Sequence, residues 1–163
     1  LVVGKRAKHL TMDNATSCVA GYACGNEGSV REFQRKTTQW DMGKNFDNTG
    51  GFGPWMITAD EVPPGGKGLK IQTRLNGNTL QSDNTDNMMF PVAETIAYVT
   101  QGMTLEPGDI VATGTNMTVW LDGQTGGTGN NNVACFDAVV VTCEGMPPPP
   151  PTITVGPTYS SMT

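Results

Sequence analysis

Residues 69–81 constrain this chain more than any other stretch. Leu69, Ile71, Thr73 and Leu75 alternate with Lys70, Gln72 and Arg74. Side chains two apart in a strand share a face, so Leu69 to Leu75 reads as one half-buried strand. Asn76-Gly77 follows at once. Both residue types accept positive φ, which makes this pair the strongest short-range signal for a tight β-hairpin, with a return strand near Thr79 to Gln81. A chain with such a hairpin at its middle is built around an antiparallel pair. The composition agrees, with 37% hydrophobic and 15% charged residues and with 21 glycines and 11 prolines among 163 residues. That balance is turn-rich and β-leaning, and it excludes a helical bundle and a disordered chain. The length is one domain's worth, enough for a proper core.

Other elements follow from the same reasoning. Leu1-Val2-Val3 reads as the end of a strand, and its mid-strand start on Leu suggests that an upstream part is missing. Cys18 to Cys24, Trp55 to Thr58 and Ile110 to Thr113 read as further strands, and Val133 to Cys143 is another apolar, β-branched run. Met12 to Ala15 reads as a short helix with Thr11 as N-cap and Asp13 in its first turn. Arg31 to Thr37 is a second short helix. Val92 to Gln101 is the longest, with Pro91 at its first turn and Val92, Ile96 and Val99 on one face. Gly50 to Pro54 breaks the chain, Pro63-Pro64-Gly65-Gly66 is a loop, and Glu106 to Asp109 is a turn. Gly123 to Asn132 is nearly all Gly, Thr and Asn, a flexible loop. Pro147 to Pro151 reads as polyproline II, opening a loose tail to Thr163. There is no internal repeat.

Net charge is −5 and the isoelectric point is near 4.7. These values argue against nucleic acid and against an anionic membrane surface as partners. No run of about 18 apolar residues exists to make a membrane-spanning helix. The N-terminus lacks the basic-then-apolar order of a signal peptide. Cys18, Cys24, Cys135 and Cys143 show no C-x-x-C spacing and read as reduced thiols of a cytoplasmic protein, or a mitochondrial one in a eukaryote. Two disulfides in a secreted domain on a Pro-rich stalk stay open as an alternative. Asn14-Ala-Thr16 and Asn116-Met-Thr118 fit the glycosylation acceptor pattern without deciding the compartment.

One stretch, Gly25 to Phe46, is unusually polar. It holds Glu27, Arg31, Gln34 and Lys44 among too few apolar residues to bury them. On a helix, Glu27, Arg31 and Gln34 stand at i, i+4 and i+7 and share a face. Such a face is either a solvated surface with a Glu–Arg pair or a site for a divalent cation and an anionic, oxygen-rich small molecule. Lys44 taken alone reads as a salt bridge to Asp41 or Asp47. His9, the one histidine, sits beside the basic Lys5–Lys8 stretch and reads as a surface residue.

The motifs in this stretch decide between those readings. Asn26-Glu27-Gly28-Ser29-Val30-Arg31-Glu32-Phe33-Gln34 resembles the N-D-x-S-A-R-D-x-Q block of the fumarylacetoacetate hydrolase family, and Gly43-Lys44-Asn45-Phe46-Asp47 its G-K-S-F-D block. The family's V-A-G-Y appears at Val19 to Tyr22 and its G-P-W at Gly53 to Trp55. Leu75-Asn76-Gly77, Gln81, Asn84-Thr85, Met88 and Phe90 fit V-N-G-x-x-x-Q-x-x-N-T-x-x-M-x-F. V-A-E-x-I-A-Y-V stands at Val92 to Val99, and L-E-P-G-D-I-V-A-T-G-T at Leu105 to Thr115. The blocks come in the family's order over residues 1–115, with a fainter echo at Asp137 to Gly145. The chain is thus identified with the family's C-terminal catalytic domain, as in 2-hydroxyhepta-2,4-diene-1,7-dioate isomerase-like members, truncated at its N-terminus.

The resemblance implies a mostly β, α+β fold, a mixed β-sandwich or roll with few short helices. It places the domain at residues 1–145, with 146–163 as a Pro-rich flexible tail. It implies a hydrolase, isomerase or decarboxylase acting on C–C bonds of 2-oxo or 1,3-dicarbonyl acids, whose enolate is held on Mg²⁺, Mn²⁺ or Ca²⁺. Glu27 then takes the position of a metal-ligating aspartate, one methylene longer. Arg31 and Gln34 contact the substrate's carboxylate and carbonyl oxygens. Lys44 stabilises the enolate or oxyanion, and Thr115 contacts the substrate with help from the Gly114 backbone. Lys44 and Thr115 are the catalytic pair, while Asn84 and Thr85 tie the hairpin to the site. Asn116 to Trp120 replaces the family's Pro- and Gly-rich turn and alters that pocket wall. The family's Glu-x-Glu metal pair would precede Leu1, and its His/Glu water-activating pair lies further upstream; neither is in this sequence. The implied partner is a small acid and the implied assembly a homodimer. A non-catalytic domain that keeps the fold without the chemistry is the alternative.

Overall fold

The computed structural model describes residues 1–75 and 77–114, together with the backbone of the strand Val139–Glu144. In chain order the strands and helices are β1 (Val2–Val3), β2 (Val19–Tyr22), β3 (Gly25–Glu27), α1 (Arg31–Gln34), β4 (Gly50–Phe52), β5 (Ile57–Thr58), β6 (Lys70–Leu75), β7 (Asn78–Asn84), α2 (Val92–Gly102) and β8 (Val139–Glu144). Every pairing is antiparallel. The described strands form a β1-β2-β5 sheet, a β3-β4 ribbon and a β7-β6-β8 sheet. This is the mostly β, α+β architecture read from the sequence.

The hairpin signal holds. Leu75 pairs with Asn78, so the chain reverses within two positions, and Gly77 carries φ +81° as such a turn requires. Asn76 lies outside the described residues. The return strand is longer than expected and reaches Asn84, with a register shift between Thr73 and Arg74. The alternation of β6 is only partly realised. Leu69 is buried, but so are Gln72 and Thr73, while Ile71 and Leu75 are half-buried. The cause is position: β6 is flanked by β7 and β8 and is covered along both edges. Gln72 remains satisfied, donating to Ser82 Oγ at 3.2 Å and accepting from Arg74 Nη2 at 2.6 Å.

The core gathers β1, β2, β5 and α2. Val3, Ala15, Cys18, Ile57, Val92 and Ile96 are among its buried members. The helix expected at Val92 to Gln101 extends to Gly102, and its inner face is Val92, Ile96 and Thr100, with Val99 half-buried. Thr100 is as fully buried as Ile96, which its hydroxyl tolerates because it is bonded both ways. Oγ1 donates to Ala97 O at 3.2 Å and accepts from Leu10 N at 3.1 Å.

Three expectations are corrected. The turn of helix expected at Met12 to Ala15 lies at Ala15–Cys18 as a 3-10 turn, since Ala15 and Cys18 face the core while Met12 is exposed. Gly50 to Phe52 forms β4 instead of a break, and the next strand begins at Ile57 rather than Trp55. Ile110 to Thr113 is no buried strand: Ile110 is 55% exposed and joins β1 by a single bridge to Val2. The Gly123–Asn132 loop, the Pro147–Pro151 segment and most of the 133–143 run lie outside the described residues.

Cys18 donates its thiol to Ala15 O at 3.2 Å, and burial pushes that thiol above its ordinary value of 9.0. The fold therefore favours the protonated form, so this contribution is complete below about pH 9 and is lost as pH rises through the raised value. Urea midpoints measured from pH 8 upward should fall less steeply in Cys18→Ala than in the parent chain. An equal slope would contradict this assignment. Ile96→Ala should cost about 2–5 kcal/mol in urea unfolding with an unchanged m-value.

Candidate functional site

The polar stretch folds into one excursion between β2 and β5, closed by backbone hydrogen bonds. β3 and β4 pair as Gly25 with Phe52, Asn26 with Gly51 and Glu27 with Gly50. Gly53 N donates to Cys24 O at 3.0 Å at the base, and Gly28 N to Thr49 O at 2.8 Å beyond Glu27. Val30 N donates to Gly43 O at 2.8 Å, which joins the start of α1 to the 3-10 segment Trp40–Lys44. A Cβ on Gly43 would stand 2.5 Å from Gln34 Cβ and 2.8 Å from its Cα and N, so only glycine permits this approach. Phe33 meets Phe46 edge-on at 4.8 Å between ring centroids, and Lys36 Nζ lies 3.6 Å from the Phe33 centroid. These contacts set α1 and the lysine-bearing turn side by side.

Glu27 does not share a helix with Arg31 and Gln34, because the chain is a strand at Gly25–Glu27 and helical only over Arg31–Gln34. The expected helix to Thr37 is one turn long. Instead of Arg31, Glu27 meets Lys44: Nζ to Oε2 is 2.9 Å, with side chains 43% and 59% exposed. Lys44 thus pairs with neither Asp41 nor Asp47. Arg31 Nη1 donates to Gln34 Oε1 at 2.5 Å, and Gln34 is 91% buried at the Gly43 contact. Four of the site residues named from the sequence are therefore gathered on this excursion as two bonded pairs. Gly114 is exposed, with nothing described within 4 Å of its Cβ position. Thr115 lies outside the described residues, as do Asn116 to Trp120. His9 is exposed, with φ +54°, and its backbone N–H donates to Thr100 O.

Thr85 ties the foot of the hairpin to the Pro64–Gly66 turn, not to the excursion that carries Glu27 and Lys44. Its hydroxyl donates to Gly66 O at 2.7 Å and accepts from Leu69 N at 2.9 Å. Asn84 caps the next turn through Asp86 N at 2.9 Å. An open cleft of about 260 Å³ lies at the base of the β3–β4 ribbon, lined by Cys24, Gly25, Asn26 and Gly51 to Pro54.

A hard dication takes six or more oxygen ligands. Glu27 is a suitable donor, exposed and at a strand end, but Lys44 holds one of its oxygens. Among the described residues no cluster of three His, Cys, Asp or Glu side chains accompanies it. The described residues supply one ligand and do not by themselves build a metal centre.

The family model for the fumarylacetoacetate (FAA) hydrolase C-terminal region matches residues 1–152. The chain belongs to that family. A Burkholderia cenocepacia protein with a provisional hydrolase name is 43% identical over 116 residues, 71% of this chain and 41% of its own length. The fumarylacetoacetate hydrolase of Exiguobacterium antarcticum aligns with a TM-score of 0.72 at 33% identity, over 89% of this chain and 50% of its own. Fumarylpyruvate hydrolase from Pseudomonas aeruginosa, in complex with Mn²⁺ and pyruvate, aligns at TM-score 0.61 and 28% identity, over 66% and 47%. The chain spans about two fifths of the length of the curated relatives it matches. Among its described residues no helix is long and apolar enough to cross a membrane.

Gly43 was legible only as a letter of the G-K-x-F-D block; its role as the contact point with Gln34 needed the fold. Gly43→Ala should lower stability by about 1–3 kcal/mol through overpacking. It should also shift the emission of Trp40, exposed on the same turn. Unchanged unfolding and fluorescence would show that α1 and this turn do not need the close approach.

Proposed function

We propose that this chain carries the acid-binding part of a divalent-metal-dependent hydrolase, isomerase or decarboxylase. Its substrates are 2-oxo or 1,3-dicarbonyl acids whose C–C bonds are cleaved or rearranged. The observation that carries the reading is the gathering of Glu27, Lys44, Arg31 and Gln34 on one backbone-closed excursion. The Pseudomonas relative with Mn²⁺ and pyruvate, and the Mycobacterium marinum 2-hydroxyhepta-2,4-diene-1,7-dioate isomerase that aligns at TM-score 0.70, support the metal and the acid class.

Breaking a C–C bond beside a carbonyl leaves an electron pair that the carbonyl oxygen takes up as an enolate. The protein's task is to hold that charge and the neighbouring carboxylate. In this reading the Arg31 guanidinium binds the carboxylate and Gln34 orients it, as their 2.5 Å bond already does. The Lys44 ammonium faces the enolate oxygen. Gly114 and Thr115 complete the substrate wall, with Thr115 the second catalytic residue. Glu27 would be one ligand of a bound Mg²⁺, Mn²⁺ or Ca²⁺, which would supply Lewis-acid polarisation of the substrate oxygens. The assembly is a homodimer in the cytoplasm.

A second reading, a binding domain without catalysis, is favoured by the engagement of Glu27 by Lys44 and by the lack, among the described residues, of a carboxylate cluster around it. Calorimetry separates the two. Micromolar Mn²⁺ binding, tightened by oxalate and abolished in Glu27→Ala, supports the enzyme and justifies assays with acylpyruvates and oxaloacetate. No binding at millimolar Mn²⁺ would favour the second. Arg31→Lys should weaken acid binding about ten-fold or more while leaving Mn²⁺ affinity alone, because an ammonium loses the planar fork.

A further inference from the structure

Glu27 and Phe52 stand on one face of the β3–β4 ribbon. In an antiparallel pair, residues directly opposite share a face, and so do residues two apart along a strand. Glu27 lies opposite Gly50 and Gly25 opposite Phe52, so the Glu27 carboxylate and the Phe52 ring are the two side chains that the paired residues raise on this face. As diagonal neighbours they are about 7–8 Å apart. The fold makes no demand for glycine at the other two positions. Neither has a positive φ, and an added Cβ would meet nothing within 4 Å at Gly50 and only Gly51 O, at 3.8 Å, at Gly25. The space over them is open, and Phe52 is 48% exposed beside it. The cleft of about 260 Å³ lies at this end of the ribbon, with Phe52 in its wall and no Asp, Glu, Lys, Arg or His among its lining residues.

We propose that Phe52 and this cleft form the subsite for the far end of the acid, and that they select 2-oxo acids whose far end is uncharged and flat. This rests on the acid-binding reading of Arg31 and Lys44 above and needs no metal ion. Lys44 Nζ lies 2.9 Å from Glu27 Oε2, so the ammonium and the ring are separated by little more than the ribbon diagonal, the span of a short-chain acid. An unsaturated or aromatic end stacks on the ring and on the bare peptide floor that the two glycines leave. A second carboxylate entering the cleft would give up water without meeting a cation on its walls. Phe52 is therefore a specificity-determining residue, and the preferred substrate carries its one carboxylate beside the oxo group.

Three acids that differ at the far end test this on the full chain: pyruvate, phenylpyruvate and 2-oxoglutarate. Each is titrated in metal-free buffer with chelator and followed by amide chemical shifts. The parent should bind phenylpyruvate about five- to twenty-fold more tightly than pyruvate, the range for partial burial of one ring. It should bind 2-oxoglutarate no more tightly than pyruvate. Phe52→Ala should bring the phenylpyruvate-to-pyruvate ratio close to one, and Phe52→Leu, apolar but without a flat face, should fall in between. Equal affinity for pyruvate and phenylpyruvate in the parent overturns the proposal, as does a gain for 2-oxoglutarate over pyruvate. So does a ratio that survives in Phe52→Ala, because the ring then only covers Gly25, and a lower urea midpoint would be its one effect. If none of the three acids binds, the acid-binding reading fails, and benzamide as an uncharged probe decides the subsite. Shifts confined to the amides of 24–26 and 51–53 support it, and their absence overturns it.

Discussion

The backbone ladder that closes residues 25–52 on themselves is the constraint on which the site depends. β3 and β4 pair over three residues, Gly28 N–H reaches Thr49 O, Val30 N–H reaches Gly43 O, and Gly53 N–H reaches Cys24 O. Each such bond is worth only about 0.5–1.5 kcal/mol net. The strand residues of this ribbon are all exposed, so little apolar burial adds to them. Their effect is geometric. The ladder places position 27 opposite position 50, and the returning chain then carries Lys44 to the Glu27 side chain.

The hydrophobic core contributes at one remove. It ends at Tyr22 on one side of the excursion and resumes at Ile57 on the other, where β2 pairs with β5. That pairing, with α2 packed through Ile96 and Thr100, holds the two ends of the excursion in place. Within it, the Phe33–Phe46 contact and the buried Gln34 make a small local packing centre. The division is physically sensible: the exposed charged groups sit on hydrogen-bonded backbone, while the stability of their base comes from buried Val, Ile and Ala. The Thr85 hydroxyl, which donates to Gly66 O and accepts from Leu69 N, links the foot of the hairpin to the Pro64–Gly66 turn.

Residues that read clearly from the sequence were those whose signal is local. Asn76-Gly77 encodes a reversal within two residues, and the Pro91-led apolar spacing encodes α2, because each depends on neighbours a few positions away. The site stretch was legible as a set of residue types in a motif order, including Glu27, Arg31, Gln34 and Lys44. Their pairing was not legible. Helical spacing suggested Glu27 with Arg31, but Glu27 belongs to a strand whose partner lies 23 residues further on, at Gly50. Burial of Gln72 and Thr73 was equally hidden, since it depends on β8 joining the far side of β6.

The sequence by itself determined the family and the β-rich class, the central hairpin, the long helix, and the motif order that marks the candidate site residues. Local φ preferences, apolar period and motif order are properties of contiguous residues, and contiguous residues carry them. The tertiary structure alone decided that Lys44 neutralises Glu27, that Gly43 must be glycine and that the Thr100 hydroxyl meets the Leu10 backbone. Each of these depends on segments brought together by strand pairing or helix packing, and a distance across such a contact is written in no single stretch of the chain.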